Sequence, residues 1–150
     1  MLLRKTFKFE ASHILPRHKG KCSRLHGHSW VLHVFVEGER NEETGFVKDY
    51  AEISDVVKPL IERLDHRHFG QWFQDEYPHG CKDFMGWEVN AAWAVPGMSP
   101  EFYPSSENLL IWIGHQLRKD LSWSKLALEE TCTSYCELTW QDYCSNYIKN

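Results

Sequence analysis

Alternating polar and apolar residues over positions 3–13 constrain the fold of this chain more than any other feature of its sequence. Successive side chains of an extended strand point to opposite faces, so Phe7, Phe9, Ala11 and His13 share one face. A strand with one apolar face must cover that face with another layer of secondary structure. The alternation therefore predicts an opening β-strand that contributes to a core.

Three more strands are predicted. Residues 28–37 are apolar on both faces and rich in β-branched and aromatic side chains, which is typical of a strand covered on both sides, by its own domain or by another subunit. Two shorter strands are predicted near the end of the chain, at about residues 125–130 and 133–140.

Two helices are predicted between these pairs of strands. Residues 49–64 carry apolar side chains at helical spacing, with Asp49 as N-cap. The second helix begins at Ser105 or Ser106, either of which suits the N-cap, and ends near Asp120. The resulting order, β-β-α-α-β-β, predicts an α+β fold in which two helices lie on one face of a four-stranded antiparallel sheet.

Composition fits a single domain that spans residues 1–150 and excludes several classes of protein. No apolar run approaches the roughly 18 residues that a membrane span needs, and a net charge of −4 gives no basic field for nucleic acid. The start of the chain lacks the apolar stretch of a signal peptide. Five cysteines are an odd number, so we expect reduced thiols and a cytoplasmic protein.

An aromatic-rich stretch interrupts this pattern at about residues 67–103. It holds nine of the 21 aromatic residues and shows neither strand nor helix periodicity. Unstructured stretches of this length are uncommon in compact domains unless they are functional. We interpret it as an insertion into the domain, and the roles of its His79 and Cys81 stay open.

Three histidines form the strongest candidate for a metal site. His26 and His28 flank Gly27 and would share one face of a strand, and His13 ends the first strand on its apolar face. Strand pairing could bring all three imidazoles to one ion, and three histidines with an open fourth position are typical of catalytic zinc. For His26 and His28 alone, a chance pair beside a turn is the alternative.

A basic loop holds a candidate nucleophile or base. Cys22 lies among Arg17, Lys19, Lys21 and Arg24, whose charges would stabilise a thiolate. An idle thiol is the alternative, and the four cations could instead bind a polyphosphate.

Two further carboxylates are candidates for chemistry. Asp65 beside His66 could orient the imidazole as a general acid/base, although a helix cap next to a surface histidine is the alternative. Glu130, at the predicted turn between the last strands, could accept two hydrogen bonds from an amidine-like ring edge. Otherwise it is a solvated turn residue.

Six motifs occur in one order along the chain. They are F-E-A-S-H at 9–13, C-S-R-L-H-G-H at 22–28, G-F-V-K-D-Y-A-E at 45–52, L-D-H at 64–66, P-S-S-E-N-L at 104–109 and E-T-C-T at 130–133. This order resembles the 6-pyruvoyl-tetrahydropterin synthase superfamily, and most closely its 6-carboxy-tetrahydropterin synthase branch, which works in queuosine and 7-deazaguanine biosynthesis. The resemblance covers nearly the whole chain outside residues 67–103.

The resemblance implies a fold, a cofactor and a proton acceptor. The fold is the tunnelling fold, in which subunits join their sheets into a barrel, commonly a homo-hexamer with sites between subunits. The cofactor is Zn²⁺ bound by His13, His26 and His28. Cys22 matches the catalytic cysteine, which takes a proton from the substrate side chain.

The resemblance also implies a substrate and the residues around it. Asp65 and His66 match the acid/base pair, Glu130 the residue that anchors the guanidine-like edge of the pterin, and Ser105 and Ser106 small hydroxyl residues near the pterin. The substrate is 7,8-dihydroneopterin triphosphate, and the products are 6-carboxy-tetrahydropterin, acetaldehyde and triphosphate. The alternatives are the triphosphate-eliminating 6-pyruvoyl-tetrahydropterin synthase and a non-catalytic pterin-binding module with a structural zinc.

Overall fold

The structure is a computed structural model that describes residues 1–70, 72 and 103–148. Its elements, in chain order, are β1 (Leu2–His13), β2 (His26–Glu37), α1 (Tyr50–Leu64), β3 (Arg67–His68), α2 (Ser106–Leu117), β4 (Lys125–Thr131), β5 (Ser134–Thr139) and α3 (Trp140–Tyr147). The strands form one sheet in the order β3-β1-β2-β4-β5. All neighbours are antiparallel except β1 and β3, and the predicted α+β class is confirmed.

The β1–β2 pair sets the geometry of one end of the sheet. The two strands pair over their whole length, from Leu2 opposite Glu37 to His13 opposite His26. The alternation of β1 is as predicted, since Phe7, Phe9 and Ala11 are buried while their neighbours are exposed. The register therefore carries the last residue of the first strand to the first residue of the second.

One face of the sheet packs against α1 and α2 and forms the core. Fully buried core residues come from both layers: Trp30, Leu32, Ile53, Val57, Leu64, Leu109, Ile113, Leu126 and Leu128. The outer face is more polar. There His33 joins three strands, with its Nδ1 2.9 Å from the Thr6 hydroxyl and its Nε2 2.7 Å from Glu129 Oε1.

The predicted count of four antiparallel strands and two helices was wrong. The described residues add β3, a two-residue strand that pairs in parallel with Ala11 and Ser12 and is too short to show a periodicity. They also add α3, because β5 stops at Thr139, whose hydroxyl caps the next helix by accepting from the Asp142 N–H at 3.1 Å.

Several predicted boundaries also moved. The second strand begins at His26 rather than at residue 28, because its first residues pair with the end of β1. The second helix ends at Leu117 rather than near Asp120. Its predicted start is confirmed, with Ser105 as N-cap. The first helix spans residues 50–64 with Asp49 as N-cap, also as predicted.

Most of the predicted insertion lies outside the described residues, which omit 71 and 73–102 and so include neither His79 nor Cys81. Its described start joins the core, since Phe69 is fully buried and Trp72 packs edge-on against Trp112 at 5.1 Å. None of the helices in the described ranges is both long and apolar enough to cross a membrane.

A partly buried histidine–tyrosine hydrogen bond joins α3 to α2 and is expected to make stability depend on pH. His115 Nδ1 lies 2.9 Å from the hydroxyl of Tyr143, which is fully buried. Burial, aided by Arg118 and Lys119, lowers the pKa of His115 from 6.5 to about 4. The unfolded chain therefore binds more protons than the folded chain between these values, so this contribution to the free energy of unfolding is complete above pH 6.5 and declines toward pH 4.

We expect the urea midpoint of the parent chain to fall as the pH is lowered through this window. The urea midpoint of the His115→Gln variant should fall less over the same window. Urea unfolding of both chains at a series of pH values measures the difference. Equal pH dependence in the two chains would show that His115 does not supply it.

Candidate metal centre and active site

The β1–β2 register brings the three predicted metal ligands together. His13 lies opposite His26, and His28 lies two residues further along the same face of β2. The ring centroid of His13 is 4.4 Å from that of His26 and 5.2 Å from that of His28, and His26 and His28 are 5.0 Å apart. Trp30 forms one wall, with its ring 5.3 Å from both His13 and His28.

Backbone carbonyls fix the orientation of two of these imidazoles. His13 Nδ1 lies 2.6 Å from the Pro104 carbonyl oxygen, and His26 Nδ1 lies 2.8 Å from that of Arg24. Because a carbonyl only accepts, each Nδ1 carries the proton and each Nε2 holds a lone pair. This is the tautomer that a metal-binding histidine needs.

The Nε2 atoms of His13, His26 and His28 are buried and have no hydrogen-bond partner within the described residues. Instead, Glu130 Oε1 lies 3.2 Å from His13 Nε2 and 3.4 Å from His28 Nε2. The candidate ligand atoms of the four side chains all lie within 4.8 Å of one another. Buried lone pairs that face a carboxylate are costly without a cation between them, so this group could hold a metal ion.

Burial keeps His13 and His28 neutral. It lowers the pKa of His13 from 6.5 to about 4, against the opposing effect of the Pro104 carbonyl, and positive charge on His26 or His28 would lower it further. Burial also lowers the pKa of His28, while Glu130 acts in the opposite direction. Neutral imidazole is the form that binds a metal, so these two ligands need no proton release near neutral pH.

Cys22 lies in the loop that joins His13 to His26, within a single 3-10 turn, Lys21–Ser23. Its side chain is partly buried and forms no disulfide. Its carbonyl accepts a hydrogen bond of 2.9 Å from the Leu15 N–H, which closes the loop at its base. The candidate proton acceptor is therefore fixed to the same strand ends as the metal ligands.

The Asp65–His66 pair is formed and held in place. Asp65 Oδ2 lies 2.9 Å from His66 Nδ1, and Asp65 Oδ1 accepts the Glu10 N–H at 2.7 Å. The Glu10 N–H and then the His66 hydrogen bond lower the pKa of Asp65, so the carboxylate stays ionised. His66 has a φ of 57°, and its own N–H donates to the Glu10 carbonyl at 2.6 Å.

The acid/base pair lies at an open cleft that one of the candidate metal ligands also lines. His66 has 79% of its side chain exposed and shares this cleft, of about 540 Å³, with Glu10, Ser12 and His28. His13 points to the opposite face of β1 from Ser12, toward the core. Among the described residues, no hydrogen bond or ion pair joins His66 to the metal-ligand group.

The start of α2 adds a second carboxylate that sequence reasoning missed. Ser105 caps the helix, and the Ser106 hydroxyl donates to Glu107 Oε2 at 3.3 Å. Burial raises the pKa of the Cys136 thiol to about 11, with Glu107 and Glu130 adding to the rise and Ser106 opposing it. Glu107 thus lies close enough to Cys136 to act on its thiol, as Glu130 does, and its signal was inside the P-S-S-E-N-L motif.

Comparisons with known proteins agree on one family. Residues 2–141 match the family model described as 6-pyruvoyl tetrahydropterin synthase. The chain is 38% identical over 110 residues to 6-carboxy-5,6,7,8-tetrahydropterin synthase of Synechocystis sp.. The matched region covers 65% of this chain and 80% of the relative. It is 30% identical over 139 residues to the protein of the same name from Haemophilus influenzae, covering 89% and 94%.

A solved structure supports the same fold. The 6-pyruvoyl tetrahydropterin synthase of Caenorhabditis elegans superposes with a TM-score of 0.70 at 20% identity, over 93% of this chain and 94% of that chain. At this identity the likeness concerns the fold, and the expected tunnelling-fold subunit is confirmed.

Proposed function

The chain belongs to the 6-pyruvoyl tetrahydropterin synthase family, and from this premise we propose that it is a zinc-dependent 6-carboxy-tetrahydropterin synthase. Its substrate is 7,8-dihydroneopterin triphosphate, and it releases acetaldehyde and triphosphate in queuosine and 7-deazaguanine biosynthesis. The observation that carries the proposal is the group of three buried, unpartnered Nε2 atoms facing Glu130. Nitrogen and carboxylate ligands suit Zn²⁺, which when bound polarises a substrate oxygen.

Proton transfer falls to Cys22 and to the Asp65–His66 pair. A Cys22 thiolate takes a proton from the three-carbon side chain of the substrate. His66, oriented by ionised Asp65, gives or takes the second proton. Because His66 is 79% exposed and the tunnelling fold commonly forms its sites between subunits, we infer that the pair of one subunit serves the metal site of a neighbour. This arrangement requires a homo-oligomer, and the tunnelling fold suggests a hexamer.

The guanidine-like edge of the pterin needs a carboxylate that accepts two hydrogen bonds. Glu130 is the predicted anchor, but its Oε1 also faces the imidazoles of His13 and His28. Glu107, in the first turn of α2, offers a second carboxylate. The pterin edge would lie against these two residues, close to the hydroxyls of Ser105 and Ser106.

The loop between His13 and His26 supplies a site for the triphosphate. No carboxylate occurs at residues 14–25. Backbone hydrogen bonds such as Ser23 N–H to the Gly20 carbonyl, at 3.1 Å, give the loop a defined shape. Arg17 lies over the Tyr103 ring at 5.8 Å, and within the described ranges Lys19 and Lys21 form no ion pair.

We expect the double substitution Lys19→Gln/Lys21→Gln to weaken binding of inorganic triphosphate by about tenfold, since exposed charges contribute up to about 1 kcal/mol each. Isothermal titration calorimetry with inorganic triphosphate measures the change. Lys58→Gln, on the exposed side of α1, is the matched control and should bind as the parent does. Unchanged affinity in the double variant would place the triphosphate elsewhere.

The name of the matching family favours a second candidate, the pyruvoyl-forming triphosphate lyase. Incubation of the zinc-loaded protein with 7,8-dihydroneopterin triphosphate, followed by mass spectrometry, separates the possibilities. Acetaldehyde with a carboxy-pterin supports the proposal, whereas a diketo pterin supports the second candidate. Pterin binding without turnover would indicate a binding module with a structural zinc.

A further inference from the structure

We propose that Asn108 is a positioning residue of the metal-ligand group and acts by fixing the backbone carbonyl that orients His13. The inference rests on the metal role in the proposed function. It adds a residue that, within the described part of the chain, forms no hydrogen bond with the four candidate ligands or the candidate acid/base pair.

The first link joins α2 to the end of β1. His13 is fully buried, and its Nδ1 is 2.6 Å from the carbonyl of Pro104, a residue 91 positions further along the chain. This hydrogen bond selects the tautomer of His13 and sets the direction in which its Nε2 points. The position of the Pro104 carbonyl therefore decides the position of a ligand atom.

The second link fixes that carbonyl. Pro104 lies between Tyr103 and Ser105, and the Tyr103 carbonyl accepts two hydrogen bonds, from the Ser105 N–H at 2.8 Å and from Asn108 Nδ2 at 2.9 Å. The Asn108 N–H in turn donates to the Ser105 hydroxyl at 3.4 Å. The two bonds made by Asn108 tie both neighbours of Pro104 to the first turn of α2, and so hold the peptide that faces His13.

The side-chain amide is the part of Asn108 that this role requires. The NH₂ group is the part of Asn108 that donates to the Tyr103 carbonyl. An aspartate has the same shape but lacks this donor, and it brings a negative charge to a carbonyl oxygen. A role confined to helix stability would lower the unfolding midpoint and leave the metal affinity of the folded chain unchanged. A positioning role lowers the metal affinity, because outer partners of ligating histidines typically contribute 10–100-fold.

The test is Zn²⁺ affinity, measured by competition with a chromophoric chelator on the full chain. Asn108→Ala and Asn108→Asp should each bind Zn²⁺ about 10–100-fold more weakly than the parent. The visible spectrum of the Co²⁺-loaded variants should also differ from that of the Co²⁺-loaded parent. The matched control is Asn146→Ala, which removes a similar bond, from Asn146 Nδ2 to the Asp142 carbonyl at 2.8 Å in α3. It should keep the affinity and spectrum of the parent.

Parental affinity in a folded Asn108→Asp chain would overturn the proposal while leaving the proposed function standing. A parent chain that binds no Zn²⁺ would overturn both. Asn108→Asp keeps the shape of the native side chain, so it remains informative if Asn108→Ala fails to fold.

Discussion

Cys22→Ala is expected to lower turnover by about 10²–10⁴-fold, the range that a general acid or base contributes, while Zn²⁺ binding stays at the parental level. The thiol lies in the loop between two metal ligands but is not among the four side chains that could hold the ion. Its removal therefore takes away proton transfer without disturbing the ligands. Single-turnover kinetics on zinc-loaded protein measures the loss.

Cys144→Ala is the control for this substitution, because Cys144 is a partly buried free thiol in α3. It should turn over substrate as the parent does. Full turnover by zinc-loaded Cys22→Ala would show that the thiol is not the proton acceptor, and would leave the Asp65–His66 pair as the remaining candidate of the proposed mechanism.

The second large effect is expected from His26→Ala, which should weaken Zn²⁺ binding by about 10²–10³-fold. This is the loss expected when one of four ligands is removed from a site of typical zinc affinity. His26 is only partly buried, and its Nδ1 donates to the carbonyl of Arg24, two residues before it. The fold should therefore tolerate the change. Turnover should fall with metal content and recover in part at high Zn²⁺ concentration. Metal analysis after dialysis measures the occupancy.

His33→Gln provides the comparison, since His33 lies on the same strand but points to the outer face, where it contacts Thr6 and Glu129. It should retain the metal of the parent. Parental zinc content in dialysed His26→Ala would remove this histidine from the ligand set.

The grouping of the three candidate metal ligands could be predicted because strand geometry is simple. The period of two places His26 and His28 on one face, and the alternation of β1 places His13 on its buried face. Antiparallel pairing then brings the ends of the two strands together. These are local rules that a sequence displays directly.

The position of Glu130 was harder to predict, because it depends on where β4 ends. The sequence predicts Glu130 at the turn that follows a strand over residues 125–130, whereas β4 continues to Thr131. The β4–β5 pairing is irregular between Glu129 and Thr131, so the alternation of the strand does not decide which way Glu130 points. Its Oε1 lies 3.2 Å from His13 Nε2, a contact that the sequence does not indicate.

Contacts made by backbone atoms could not be predicted at all. The Pro104 carbonyl that orients His13 and the Glu10 N–H that holds Asp65 belong to residues distant in sequence. Their side chains give no signal of these hydrogen bonds. The same holds for β3, whose two residues form a strand only because β1 is beside them.

The most direct test of the proposed reaction is the ratio of the two small products released from 7,8-dihydroneopterin triphosphate by the zinc-loaded chain. Enzymatic assays for acetaldehyde and inorganic triphosphate, run on the same samples, give that ratio. We expect equal amounts of both products from the zinc-loaded chain and neither from the metal-free chain. Triphosphate released without acetaldehyde would contradict carbon–carbon cleavage and would indicate the pyruvoyl-forming reaction instead.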